Sequence, residues 1–202
     1  MTYHYAVTHP QYGAIGSYDR TSDEVGGEIR ASWRLRLSVR ILGLVVHRET
    51  GDQAEVWRGG RLVSFRSVIV TNGRSLSVSG EAEGSRFVVR SPAGVAEAPG
   101  AVVASDPWLL TRPGAGVVVS IRSGRIDAVS VTGGETETLQ IEGASVPVRH
   151  FHVNAARPDK WEVWMDRNGV PVKFRSLESG APIDFTLVSS FPARALQTPE
   201  PR

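Results

Sequence analysis

The sequence contains no cysteine. This excludes disulfides, thiolate nucleophiles, iron–sulfur clusters and Cys-bearing zinc sites, and it leaves the redox compartment open, because a cysteine-free chain tolerates either. Long apolar runs are missing as well. The longest, Ile41-Leu42-Gly43-Leu44-Val45-Val46, is far below the ~18–20 residues that span a bilayer, so a transmembrane helix is excluded. Charge of one sign is also scarce: Lys+Arg 23 against Asp+Glu 21 leaves a net +2. The basic residues, nearly all Arg, stand in ones and twos, with Arg34, Arg36 and Arg40 the densest group. Nucleic-acid binding needs clustered positive charge, so no nucleic-acid partner is expected. The opening Met1-Thr2-Tyr3-His4-Tyr5-Ala6-Val7 has no basic segment, apolar segment or small-residue cleavage site of a signal peptide.

What is present is a chain of 202 residues, 41% hydrophobic, with 21 Gly. A chain of that length buries roughly 70% of its unfolded surface and needs no staple. One domain over residues 1–192 is expected. The end, Gln197-Thr198-Pro199-Glu200-Pro201-Arg202, offers no apolar side chain to pack, so 193–202 reads as a flexible tail.

The dominant hydrophobic period is two. Trp33, Leu35, Leu37, Val39 and Ile41 alternate with Arg or Ser, the pattern of a half-buried antiparallel strand. Similar segments recur at 3–8, 12–18, 44–49, 54–58, 61–71, 75–81, 86–91, 117–121, 125–131, 136–141, 146–153, 160–166, 171–176 and 183–189. Thr50-Gly51-Asp52, Gly59-Gly60, Asn72-Gly73, Ser123-Gly124, Gly133-Gly134, Asn168-Gly169 and Ser179-Gly180 read as turns between them. Gly13-Ala14-Ile15-Gly16 lacks the third glycine and the Lys of a phosphate loop and reads as a bulge or a close backbone approach. So many strands in a flat sheet would leave long exposed edges. The expected fold is therefore all-β and mainly antiparallel, a strongly curled open or half β-barrel. From Ser91 to Gly116 four prolines interrupt the pattern. This stretch reads as a long connection carrying a short helical plug near 105–112, because Asp106 is a capping residue followed by Pro107 and apolar side chains.

Candidate chemistry is sparse. His150 and His152 share one strand face, the weak beginnings of a metal site with no third ligand in view. No nucleophile elbow or Ser-x-x-Lys element occurs, so no catalytic residue is assigned. Glu55 and Trp57 share a strand face, and the Gly59-Gly60 turn brings Arg61 back toward them, so a carboxylate, an indole and a guanidinium could converge on a concave surface; a surface ion pair beside a Trp is the alternative. Trp164 faces away from Trp161 and sits on the side of Glu162 and Asp166.

Four motifs carry a resemblance: Gly13-x-Ile15-Gly16-x-Tyr18, Glu55-x-Trp57-x-x-Gly60-Arg61-Leu62, Asp106-Pro107-Trp108, and Val163-Trp164-Met165-Asp166-x-x-Gly169-x-Pro171-Val172. Together they resemble a bacterial family of uncharacterised envelope proteins whose members look like relatives of the periplasmic lipoprotein-carrier (localisation factor) fold. That resemblance implies an open half-barrel with a helical plug and an apolar concave face, suited to a lipid, acyl or polyprenoid ligand. Members usually begin with a signal peptide. A periplasmic or envelope location with the signal removed is therefore expected, a cytoplasmic one being the alternative. The expectation is a non-enzymatic binder or carrier without cofactor, with Glu55, Trp57, Arg61, Trp108, Trp164 and Asp166 as ligand-binding residues and an envelope protein as a further partner. A small-molecule enzyme using a carboxylate and Arg inside the barrel, or a structural or interaction module, are the alternatives.

Overall fold

In the computed structural model, every second side chain from Ala31 to Val39 is buried and those between face outward. The apolar alternation of the sequence thus becomes one inner and one outer sheet face. The structure describes residues 1–111, 116–141, 143–155, 160–177 and 181–192; the expected tail at 193–202 lies outside them. An antiparallel meander runs through Thr2–His9 (β1), Gly13–Val25 (β2), Glu28–Ile41 (β3), Leu44–Arg58 (β4), Arg61–Thr71 (β5), Arg74–Glu83 (β6), Arg86–Ser91 (β7) and Gly94–Pro99 (β8). Then come Val103–Ala104 (β9), the one-turn helix Pro107–Leu110 (α1) and Val117–Val119 (β10). A second meander follows: Ile126–Ile141 (β11), Ala144–Ala155 (β12), Lys160–Met165 (β13), Pro171–Ser176 (β14) and Ile183–Phe191 (β15).

All fifteen strands form one sheet, in the order β8 back to β1, then β15 back to β9. The first and last strands meet in its middle, where β1 pairs with β15. The pairing is antiparallel except between β9 and β10. Only residues 100–102 separate the edge strands β8 and β9. Fourteen spacings of about 4.8 Å would hold the edges of a flat sheet roughly 65–70 Å apart, yet four Cα–Cα steps of 3.8 Å bridge at most about 15 Å. The sheet must curl until its edges nearly meet. It is not closed into a barrel.

The crossing segment fills the curl. Val102, Val103, Ala104, Leu109, Leu110, Val118 and Val119 are all buried, packed with Trp57, Phe65, Phe87 and Trp161 in one core cluster. A second cluster, around Tyr5, Tyr18, Trp33, Phe174 and Phe185, lies under β1–β3 and β13–β15. Trp108 and Ile121 pack against both. The helix begins where the capping pattern placed it: the Asp106 side chain accepts from the Trp108 amide and Pro107 starts the turn.

Three expectations are corrected. Thr50-Gly51-Asp52 is no turn but the middle of β4; Gly51 is there because a Cβ would lie 2.8 Å from the Trp33 ring. Gly133-Gly134 is a bulge within a continuous β11. The stretch read as connection contains two further strands, β8 and β9. By contrast, Gly13-Ala14-Ile15-Gly16 is a bulge, with the register shifting between Val7 and Thr8. A Cβ on Gly16 would stand 1.8 Å from the Arg36 carbonyl oxygen. Gly16→Ala is therefore expected to cost about 3 kcal/mol or more, since backbone cannot step aside as a side-chain tip can; urea unfolding measures it.

Candidate functional site

The inward row of β4 is Glu49, Gly51, Gln53, Glu55 and Trp57, an unusually polar lining for the inside of a curled sheet. Arg20 reaches the same interior from β2, and Asp106 from the crossing segment; Arg20, Gln53, Glu55 and Asp106 are each 5% exposed or less. Buried charges must find partners. Arg20 Nε donates to Asp106 Oδ2 at 3.1 Å while Asp106 Oδ1 accepts from the Trp108 amide at 3.0 Å. The guanidinium lies 4.6 Å from the Trp108 ring centre, and that ring packs on Tyr3 at 4.5 Å. Burial works against the Arg20 charge, but Asp106 and its neighbours outweigh it and raise its pKa.

Glu55 sits beside this pair. It accepts from Trp57 Nε1 at 2.8 Å and from the Gln53 amide. Burial first, and the Asp106 charge second, push its carboxyl from the usual 4.5 up to about 7. When protonated it can donate to Gln53 Oε1, which otherwise has no protein partner, after the amide turns over. The Ser67 Oγ and Tyr18 hydroxyl are likewise buried without a protein partner.

A cavity of about 90 Å³ opens between the sheet and the crossing segment. Its walls are chiefly apolar: Trp33, Leu35, Leu37, Trp161, Phe174 and Phe185 from the strands, Pro107 and Ile121 from the crossing segment, with Tyr18, Ser105, Ser176 and Arg122 as polar points. Arg122 grips Glu49 with two hydrogen bonds, 3.0 and 2.7 Å, and Thr71 adds a third at 3.0 Å. Burial raises the Glu49 pKa, but these contacts outweigh it and the net shift is downward. Two ion pairs thus hold the crossing segment in place, Asp106–Arg20 before the cavity wall and Arg122–Glu49 after it.

The sequence-derived candidates separate into two groups. Glu55, Trp57 and Trp108 belong to the interior cluster. Arg61 does not join them. The Gly59-Gly60 turn pairs it with Arg58, whose side chain faces outward, and the guanidinium donates to the carbonyls of Gly100 (3.1 Å) and Gly84 (2.6 Å), strapping down the start of the crossing. Trp164 lies on the other sheet face, stacked on His150 at 4.2 Å, with its Nε1 donating to Glu137. Asp166 shapes the β13–β14 turn, accepting from the Asn168 and Val170 amides at 2.9 and 2.8 Å. The His150 and His152 rings are 4.3 Å apart; among the described residues no group of three or more His, Asp or Glu side chains is placed to hold a metal. Sequence reading passed over Arg20, Glu49, Gln53 and Arg122. The first three were within reach, since Glu49 and Gln53 share the Glu55 face by period two and Arg20 shares that of Tyr18.

Two outcomes follow from the interior charges. Asp106→Ala removes a helix cap and strands a buried guanidinium, so a loss of about 3–5 kcal/mol is expected in urea unfolding. The pair Arg20→Met with Asp106→Leu recovers much of it on the acid side of the Glu55 titration. Because the Glu55 pKa is higher in the folded chain, the fold holds more protons than the unfolded chain between about 4.5 and about 7. Its contribution to stability is complete below that window and is lost as pH rises through it, amounting to about 3 kcal/mol. Glu55→Gln, which mimics the protonated acid, should flatten this slope in pH-dependent melting; an unchanged slope would place the titration elsewhere.

No functionally curated protein matches the chain. Among solved structures it is similar to the beta-barrel-like protein of domain of unknown function DUF1849 from Brucella abortus, at a TM-score of 0.63 and 12% identity over 93% of this chain and 94% of that one. That likeness is one of fold. The family described as Domain of unknown function (DUF6134) matches residues 7–188, and the chain belongs to that family.

Proposed function

We propose that this protein binds a hydrophobic small molecule, an acyl or polyprenoid chain, between the curled sheet and the crossing segment, and carries or senses it in the bacterial envelope without chemical change. The observation that carries this reading is the aromatic and aliphatic cavity. Apolar walls with a few polar points are the usual make-up of a small-molecule site. At about 90 Å³ the space is smaller than the ~300 Å³ and more of most ligand pockets. It accepts one end of a chain, and the rest must reach solvent from the cavity or displace the crossing segment. The lipoprotein-carrier resemblance and the envelope location belong to this proposal; the curled sheet with its internal plug agrees with the first.

A second reading, an enzyme, is favoured by one observation: a buried carboxyl at about 7 is suited to proton transfer at neutral pH. Glu55 does not line the cavity, however, and its oxygens already accept from Gln53 and Trp57. The binding reading therefore leads.

Native mass spectrometry before and after organic extraction, with displacement of a fluorescent fatty-acid analogue, tests it. A bound apolar species is expected, and Ile183→Trp, which fills the cavity from its lining, should weaken the analogue on the order of tenfold or more, the scale of one lost apolar side-chain contact. An extract with no apolar species and an analogue indifferent to Ile183→Trp would overturn the proposal.

A further inference from the structure

The β3–β4 hairpin runs past its neighbours. β2 pairs with β3 only as far as Leu37, and β5 pairs with β4 only from Glu49. Val39–His47 is therefore a two-stranded ribbon without a third strand. Its tip is Ile41-Leu42-Gly43-Leu44-Val45-Val46, with all five aliphatic side chains exposed, Leu42 at 98% and Leu44 at 72%. An exposed apolar cluster of this kind in a folded protein marks an interaction surface.

The turn itself strengthens the point. Leu42-Gly43 (φ 50° and 82°) and Asn72-Gly73 (φ 50° and 83°) are the same two-residue turn. Asn72-Gly73 has the residues that such a turn prefers. Leu42 is strained there, since a left-handed φ crowds its Cβ, and so exposed a side chain has no contact that offsets the strain. The advantage of Leu at this position lies outside the chain.

Charge identifies the partner. From Ser38 to Arg48 there is no acidic residue. Arg36, Arg40 and Arg48 are exposed around the base, and Arg74 stands on the adjacent turn, which is tied to the ribbon by hydrogen bonds between Asn72 and Arg48. An apolar wedge with a cationic collar suits an anionic lipid surface. The aliphatic stretch reaches back roughly 10 Å from the tip at about 3.4 Å per residue, comparable to the ~5–10 Å at which interfacial apolar faces sit below the headgroups.

We propose that the Ile41–Val46 hairpin tip inserts into the surface of an anionic lipid bilayer, with Arg40, Arg48 and Arg74 on the headgroups. This is peripheral attachment and stands independently of the cavity. Flotation of the full chain with vesicles of equal parts phosphatidylglycerol and phosphatidylcholine, and with vesicles of phosphatidylcholine alone, tests it at low and high salt. Binding to the mixed vesicles at low salt is expected, weakened by salt and by Arg40→Gln with Arg48→Gln. Leu42→Asn with Leu44→Ser should lower it on the order of tenfold or more while leaving the melting temperature unchanged or higher, because Asn suits the turn. A Leu44→Trp reporter should shift its emission to the blue only with the mixed vesicles. The proposal is overturned by absence of flotation, by flotation indifferent to the Leu42 and Leu44 changes, or by self-association of the free protein that those changes abolish, which would assign the tip to a second copy.

Discussion

The interior ion pair between Asp106 and Arg20 holds the two parts of the molecule together. The residues are 86 positions apart, one on a sheet strand and one at the start of the only helix among the described residues. Neither charge can stay buried alone, because leaving one unpaired costs several kcal/mol. The crossing segment therefore has one position that satisfies both: there Asp106 caps the helix, and Trp108 covers the Arg20 guanidinium and packs on Tyr3. From that anchor Trp108 and Ile121 contact both apolar clusters.

The curl of the sheet and the path of this segment are one problem with one solution. A short link between the two edge strands is compatible only with a sheet whose edges approach each other. The enclosed space must then be filled, or its apolar walls would face water. Val102, Val103, Ala104, Leu109, Leu110, Val118 and Val119 fill most of it. The cavity beside Trp33 and Phe185 is what they leave open, and the Arg122–Glu49 pair fixes the chain on its far side.

Much of this was legible in advance, for definite reasons. Period-two alternation marked the strands because each has one wet and one dry face, and Asp106-Pro107 marked the helix because capping is a local interaction. Glu55 and Trp57 came out as neighbours because i and i+2 share a strand face. Arg61 was misplaced because the two-residue Gly59-Gly60 turn pairs it with Arg58, and strand alternation puts that pair on the face opposite Glu55 and Trp57. Gly51 and the Gly133-Gly134 pair misled for another reason: a glycine that makes room for a ring across the sheet, or one that forms a bulge, looks in sequence like a glycine that turns the chain.

By itself the sequence determined the all-β class, the strand and cap positions, and the exclusion of cysteine chemistry and membrane-spanning helices, since these depend on composition or on residues a few positions apart. Only the tertiary structure decided which face of β4 holds the buried acids, that Arg20 answers Asp106, that Trp164 lies outside the cavity, and that the apolar hairpin tip projects beyond its neighbours. Each of these depends on register and on contacts between distant segments, and a shift of one residue in register moves a side chain to the opposite face.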